Sequence, residues 1–188
     1  MREETGDQLT ADELVPTPGG RWSGLLFDNP KLGISPYLSW SFYFPYADVE
    51  REYGASTVSL SLDWITLAPA TWRDMAGQGV NSAQVAGLAE ASVYFFQHHS
   101  YDNAELQVVE QRGTQVHVTT TVSGDLDGLG VDPIGAERWL SFSGIRVSVS
   151  SVRSVAEAST RLGEFIDVAG LSCVPGVVAG SFVFRPVN

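Results

Sequence analysis

Apolar and polar residues alternate on both sides of Arg112-Gly113 in the stretch from Glu105 to Gly124. A period of two sends successive side chains to opposite faces, so the stretch predicts an antiparallel hairpin with one buried face. Val116, Val118, Thr120 and Val122 form the core side of its second strand. His117, Thr119, Thr121 and Ser123 form the wetter, hydroxyl-rich side.

Weaker versions of the pattern mark further strands. Tyr37 to Phe44 is aromatic-rich, and Thr57 to Leu62 alternates and runs on towards Leu67. Trp139 to Val149 contains Gly144, a residue suited to a bulge, and Val177 to Phe184 precedes Pro186. Pro45 and Gly54 bracket a loop or helical turn that carries Asp48, Glu50 and Glu52. Pro69 to Gly77 reads as a short helix. Between Asn81 and Gln97 two signals compete. Asn81 and Gln84 have capping-box spacing, but Ser92-Val-Tyr-Phe-Phe96 favours a pleated surface. The second signal predicts a strand from Ala89, joined to the hairpin through a His98 to Asn103 connection.

The clearest helix spans Ser154 to Ala169. Ser154 and Glu157 make a capping-box pair, while Val155, Ala158, Leu162, Phe165 and Ile166 share a face, and Gly170 is placed to stop it. Runs of strands with few helices predict an α+β fold. Its sheet is mainly antiparallel and strongly curved, or a half-barrel, of about six to eight strands, with the C-terminal amphipathic helix packed on it. Residues 1–20 carry five acidic groups and one arginine and end in Val15-Pro-Thr-Pro-Gly-Gly20, which predicts a disordered acidic tail. Residues 21–188 then form a single domain.

Charge narrows the partners. Twenty-two acidic against eleven basic residues give a net charge of −11, which opposes binding to nucleic acid or to an anionic membrane. Ten of the basic residues are arginine, with Lys31 the only lysine, as GC-rich coding favours. A lone cysteine, Cys173, allows no intrachain disulfide, and no basic patch with an apolar run marks a secretion signal. The expected location is the cytoplasm.

Signals for chemistry are sparse. The Asp125-Leu-Asp-Gly-Leu-Gly-Val-Asp132 segment lacks an oxygen ligand at Leu129 and a glutamate at Ala136, where a calcium loop needs them. It reads as a polar turn whose carboxylates cap backbone N–H groups, and no metal or cofactor is expected. His98 and His99 are adjacent, so on a strand they point to opposite faces. Cys173 follows the predicted helix C-terminus, where the dipole disfavours a thiolate. No nucleophile elbow, phosphate loop or dinucleotide fingerprint occurs, so no catalytic residue is assigned.

Two functional expectations follow. The first is a small, acidic, non-catalytic protein that binds a basic protein partner, in the manner of an immunity protein neutralising a toxin. Its contact surface would comprise Trp40, Tyr46, Asp48, Glu50 and Glu52. The second is an enzyme or small-ligand binder whose pocket in the curved sheet is lined by Tyr94, His98, His117, Thr119, Asp125 and Asp127.

Overall fold

A computed structural model describes residues 8–81, 89–174 and 180–187. Seven strands close into a barrel in the order β1 (Arg21–Asn29), β2 (Ile34–Arg51), β3 (Gly54–Ile65), β5 (Glu90–Phe95), β6 (Gln97–Arg112), β7 (Gln115–Asp125) and β8 (Ile134–Ser148). Neighbours along that path are antiparallel, and the ring is completed by a parallel pairing of β1 with β8. The sheet is thus more than the curved half-barrel expected, because the first strand finds the last barrel strand. Among the described residues three short strands lie outside the ring. β4 (Gly79–Val80) pairs with β6, while β10 (Phe182–Pro186) extends β8 and carries β9 (Leu171–Val174) on its far side.

The central hairpin forms as its alternation dictates. Val116, Val118 and Val122 are fully enclosed and Thr120 nearly so. The same inward parity runs round the ring through Trp22, Trp40, Phe42, Phe44, Leu60, Leu62, Val93 and Leu106, which fill the interior. One end is closed by a ring stack. Phe142 lies 4.2 Å from Trp22 and 5.2 Å from Trp72, centroid to centroid. Trp72 belongs to the segment read above as a short helix, but no helix forms there; its turns are held by Gln111, which donates to Trp72 O and accepts from Met75 N.

The one α-helix among the described residues, α1 (Val155–Gly163), has the expected cap: Ser154 Oγ accepts from Glu157 N, and Glu157 Oε2 accepts from Ser154 N. It is shorter than its apolar stripe. Ala158, Leu162 and Ile166 are buried, but Val155 is 51% and Phe165 36% exposed. Gly163 lowers helix propensity where the chain leaves α1, and Asp167 N is drawn away to Ala70 O.

Several other boundaries move. β2 runs straight through Pro45 to Arg51, so Asp48 and Glu50 sit on a strand and Glu52 at the turn that follows. Pro45 O accepts from Thr17 N, so the N–H that proline lacks faces away from β3. The strand expected from Ala89 is present as β5; residues 82–88 lie outside the described residues. The His98 to Asn103 stretch belongs to β6, and the turn before it is Phe96 alone, at φ 56°. Residues 8–20 are packed rather than a free tail. Leu9 is buried and donates its N–H to Leu129 O, Pro16 bridges to Tyr46, and Glu13 pairs with Arg51; residues 1–7 lie outside the described residues. No helix among the described residues is long and apolar enough to cross a membrane.

Candidate functional site

Outward-facing positions on β1, β2 and β3 carry small hydroxyl residues, whereas a solvated strand usually takes larger β-formers. The register aligns them. Ser23 faces Ser41, Tyr43 faces both Arg21 and Ser61, and Ser61 faces Ser92. Low serines bordered by tall side chains make a valley on the outside of the barrel.

Two bulges shape its centre. On one side Ser41 is opposed by two residues of β3, Asp63 and Trp64, since Phe42 pairs with Leu62 and Trp40 with Ile65. On the other side Ser23 is opposed by Ser143 and Gly144, because Trp22 pairs with Phe142 and Gly24 with Ile145. An extra residue re-aims its neighbours, so Asp63 and Trp64 both line the valley instead of alternating across the sheet. Trp64 takes φ 62°, a left-handed conformation costly for a bulky side chain, and its ring packs 5.1 Å from Phe27. Gly144 takes φ 112°. A β carbon there would sit 2.5 Å from Phe184 O and 3.0 Å from Arg185 Cγ, so only glycine lets β10 and the Arg185 stem lie across it.

The resulting trough holds about 690 Å3, within the range of small-molecule sites. It continues along β2 and β3 into a second hollow of about 500 Å3 edged by Tyr43, Tyr94 and His98. Arg21, Arg146 and Arg185 converge on the trough, with Asp63 the one carboxylate in its lining. Arg21 lies over the Tyr43 ring, 3.9 Å from the centroid. Among the described residues these three guanidiniums have no hydrogen-bond or ion-pair partner. The contrast is sharp: Arg51, Arg73, Arg112, Arg138, Arg153 and Arg161 each donate to a protein oxygen. Three cations without an anionic partner on one concavity make it a place where a bound anion finds charge-assisted donors.

The residues singled out from sequence scatter. Trp40 is fully enclosed and Tyr46 is 5% exposed, so neither offers a ring to a partner; both face inward by the alternation of β2. Asp48, Glu50 and Glu52 are exposed beside Tyr53. Of the second set, Tyr94 and His98 meet across β5 and β6, ring centroids 5.3 Å apart, and both border the hollow. His98 Nδ1 lies 3.4 Å from Ser92 Oγ. His117 stacks on Trp139 and contacts Glu137 at 3.3 Å on the face of β7 and β8, and Thr119 shares that strand, so they do not join the hollow. His99 is buried, with Nε2 3.2 Å from Phe95 O.

Asp125 and Asp127 are committed to backbone. Asp125 accepts from the N–H groups of Asp127, Gly128 and Gly130, Asp127 from Ser100 N, and Asp132 from Gly124 and Asp125 N. Burial acts to raise the Asp125 pKa, but these N–H donors outweigh it and hold the carboxyl below its ordinary value. Cys173 is half-buried on β9, opposite Phe184. The trough residues Arg21, Ser23, Asp63, Trp64, Arg146 and Arg185 escaped sequence reasoning. Only the serine alternation in Thr57 to Leu62 signalled them, and it reads equally as an ordinary wet face.

Compared with protein-family models, curated proteins and solved structures, the chain has no significant match.

Proposed function

We propose that the protein is a binding protein that holds a small, negatively charged ligand in the outer trough. The observation that carries this reading is the convergence of Arg21, Arg146 and Arg185, unpaired, on one concavity of a chain with net charge −11. Guanidiniums offer planar forks to carboxylate, sulfate or phosphate, and the serine hydroxyls of Ser23, Ser41 and Ser61 can serve the ligand's uncharged polar groups. The filled barrel interior supports an outer site over a luminal one.

Titration calorimetry with glucose 6-phosphate and with naphthalene sulfonate should show saturable binding, whereas glucose and naphthol should not bind. Each charged hydrogen bond contributes about 1.5–3 kcal/mol, so Arg146→Gln with Arg185→Gln should weaken binding by at least roughly tenfold. Equal response to charged and uncharged probes, or indifference to the double substitution, would discard the reading.

A second reading retains the acidic surface. Asp48, Glu50 and Glu52 stand exposed at the β2–β3 end with no ion-pair partner among the described residues, beside Tyr53 at 58% exposure. They suit a basic protein such as a toxin domain. Association with a co-purified partner should slow between about 0.1 M and about 1 M salt, as the Debye length falls from about 10 to about 3 Å. A rate unaffected by salt and by neutral amides at all three positions would exclude this surface.

A further inference from the structure

β1 begins at Arg21, opposite Ser141, so the first half of β8 has β7 on one side and no β1 on the other. There Val15 to Thr17 runs along Pro45 to Ala47 of β2 instead. A pocket of about 250 Å3 opens at this seam, somewhat below the size of drug-sized ligand sites of about 300–1,000 Å3.

Arg138 lines it. Along β8, Ile134, Ala136, Arg138 and Leu140 share the inward face, so the chain places a cation where alternation calls for an apolar side chain. Its Nη1 donates to Pro45 O, and its guanidinium carbon lies 4.5 Å from the Tyr46 ring centroid. No carboxylate pairs with it among the described residues: Glu137, which also lines the pocket, contacts His117 at 3.3 Å instead. Burial depresses its pKa, as expected for a partly desolvated charge without an anion beside it. Tyr46 also lines the pocket, but its hydroxyl is sealed from solvent, out of a ligand's reach, and has no hydrogen-bond partner among the described residues. The guanidinium thus keeps donors beyond its bond to Pro45 O and has no carboxylate paired with it, whereas a partly buried charge normally has an anionic partner.

We propose that this seam pocket binds a small monocarboxylate with a short apolar body. The carboxylate accepts from the Arg138 N–H groups that Pro45 O leaves free, while the body rests on Leu14, Pro16, Val131 and Ile134. No lining residue is shared with the outer trough, so the two sites stand or fall separately.

Calorimetry with butyrate and benzoate, against butyramide and benzamide, tests the assignment. Either acid should bind saturably to the full chain and the amides should not. Arg138→Met should abolish binding; methionine has similar volume and removes a buried charge, a change that folds tend to tolerate. Should that variant fail to fold, Arg138→Lys keeps the charge but loses the planar fork, and should bind at least roughly tenfold more weakly. Arg146→Gln, in the trough, should leave these affinities unchanged. Absence of saturable binding by both acids, or equal affinity in Arg138→Met or Arg138→Lys, overturns the proposal.

Discussion

Arg51 Nη1 lies 2.7 Å from Glu13 Oε1, and Arg51 Nη2 donates to Gln8 O at 2.8 Å. This pair ties the N-terminal segment to the end of β2. Glu13 Oε2 also accepts from Thr10 N and Oγ. The hydrogen bond from Arg51 is the largest influence on Glu13, and against the opposing effect of burial it holds the carboxyl at about 2.

A carboxyl whose folded pKa lies below the unfolded value, near about 4.3 for glutamate, stabilises the fold above that value. The contribution disappears as pH falls from there towards 2. Glu13→Gln should therefore lower the unfolding midpoint at pH 7 and narrow its difference from wild type between pH 4 and pH 2. Parallel urea curves across that range would show that the pair contributes nothing.

Gly144→Ala should destabilise by about 1–3 kcal/mol, because alanine at φ 112° is strained and its β carbon meets Phe184 O. Gly135→Ala is the control, since its nearest neighbour is Thr120 O at an ordinary 4.0 Å. Equal chemical melts for the two variants would contradict the close approach of β10 at the bulge.

On α1 and the turn that follows it, the burial of two apolar residues separates two substitutions. Leu162→Ala should cost about 2–5 kcal/mol through lost burial and a cavity. Phe165→Ala should cost less than half of the roughly 3–5 kcal/mol typical of an enclosed phenylalanine, since it is 36% exposed and its ring meets the Arg161 guanidinium 5.7 Å away. Thermal denaturation of the pair gives the ranking directly.

Tyr46→Phe removes a buried hydroxyl that has no partner, so without ligand it should leave stability unchanged or raise it. Tyr101→Phe makes the opposite case: its hydroxyl donates to Val131 O at 2.6 Å, so the variant strands a buried carbonyl and should lose about 1–3 kcal/mol. A loss at Tyr46 as large as that at Tyr101 would mean that the hydroxyl has an acceptor.

What the sequence made legible, and what it hid, divides by the range of the interactions involved. The Val116 to Val122 alternation and the Ser154–Glu157 cap are settled by neighbours a few residues away, and both form as read. The aromatics of Tyr37 to Phe44 marked a strand correctly, but neither its extension past Pro45 nor the burial of Trp40 and Tyr46. Which side of β2 is covered depends on β1, β3 and the Val15 to Thr17 segment, all remote in sequence. Pro45 read as a terminator because the pairing that spares it from a ladder bond is likewise non-local. The trough is the extreme case. Asp63 and Trp64 become neighbours on one face only through a two-against-one mismatch with Ser41, which no local pattern encodes. Arg21, Arg146 and Arg185 are joined by ring closure and by the added β10.

The parallel contact between β1 and β8 also has a kinetic meaning. Arg21 must meet Ser141 and Phe27 must meet Ser148, so nearly the whole barrel lies within the loop that this pairing closes. Entropy makes such distant pairings slow, and the hairpins between them can form first. The Ser23 bulge arises in that closing contact, so an occupant of the trough finds its full site only in the finished ring. It should accordingly act as a latch: rapid-mixing experiments should show slower unfolding in its presence and an unchanged folding rate.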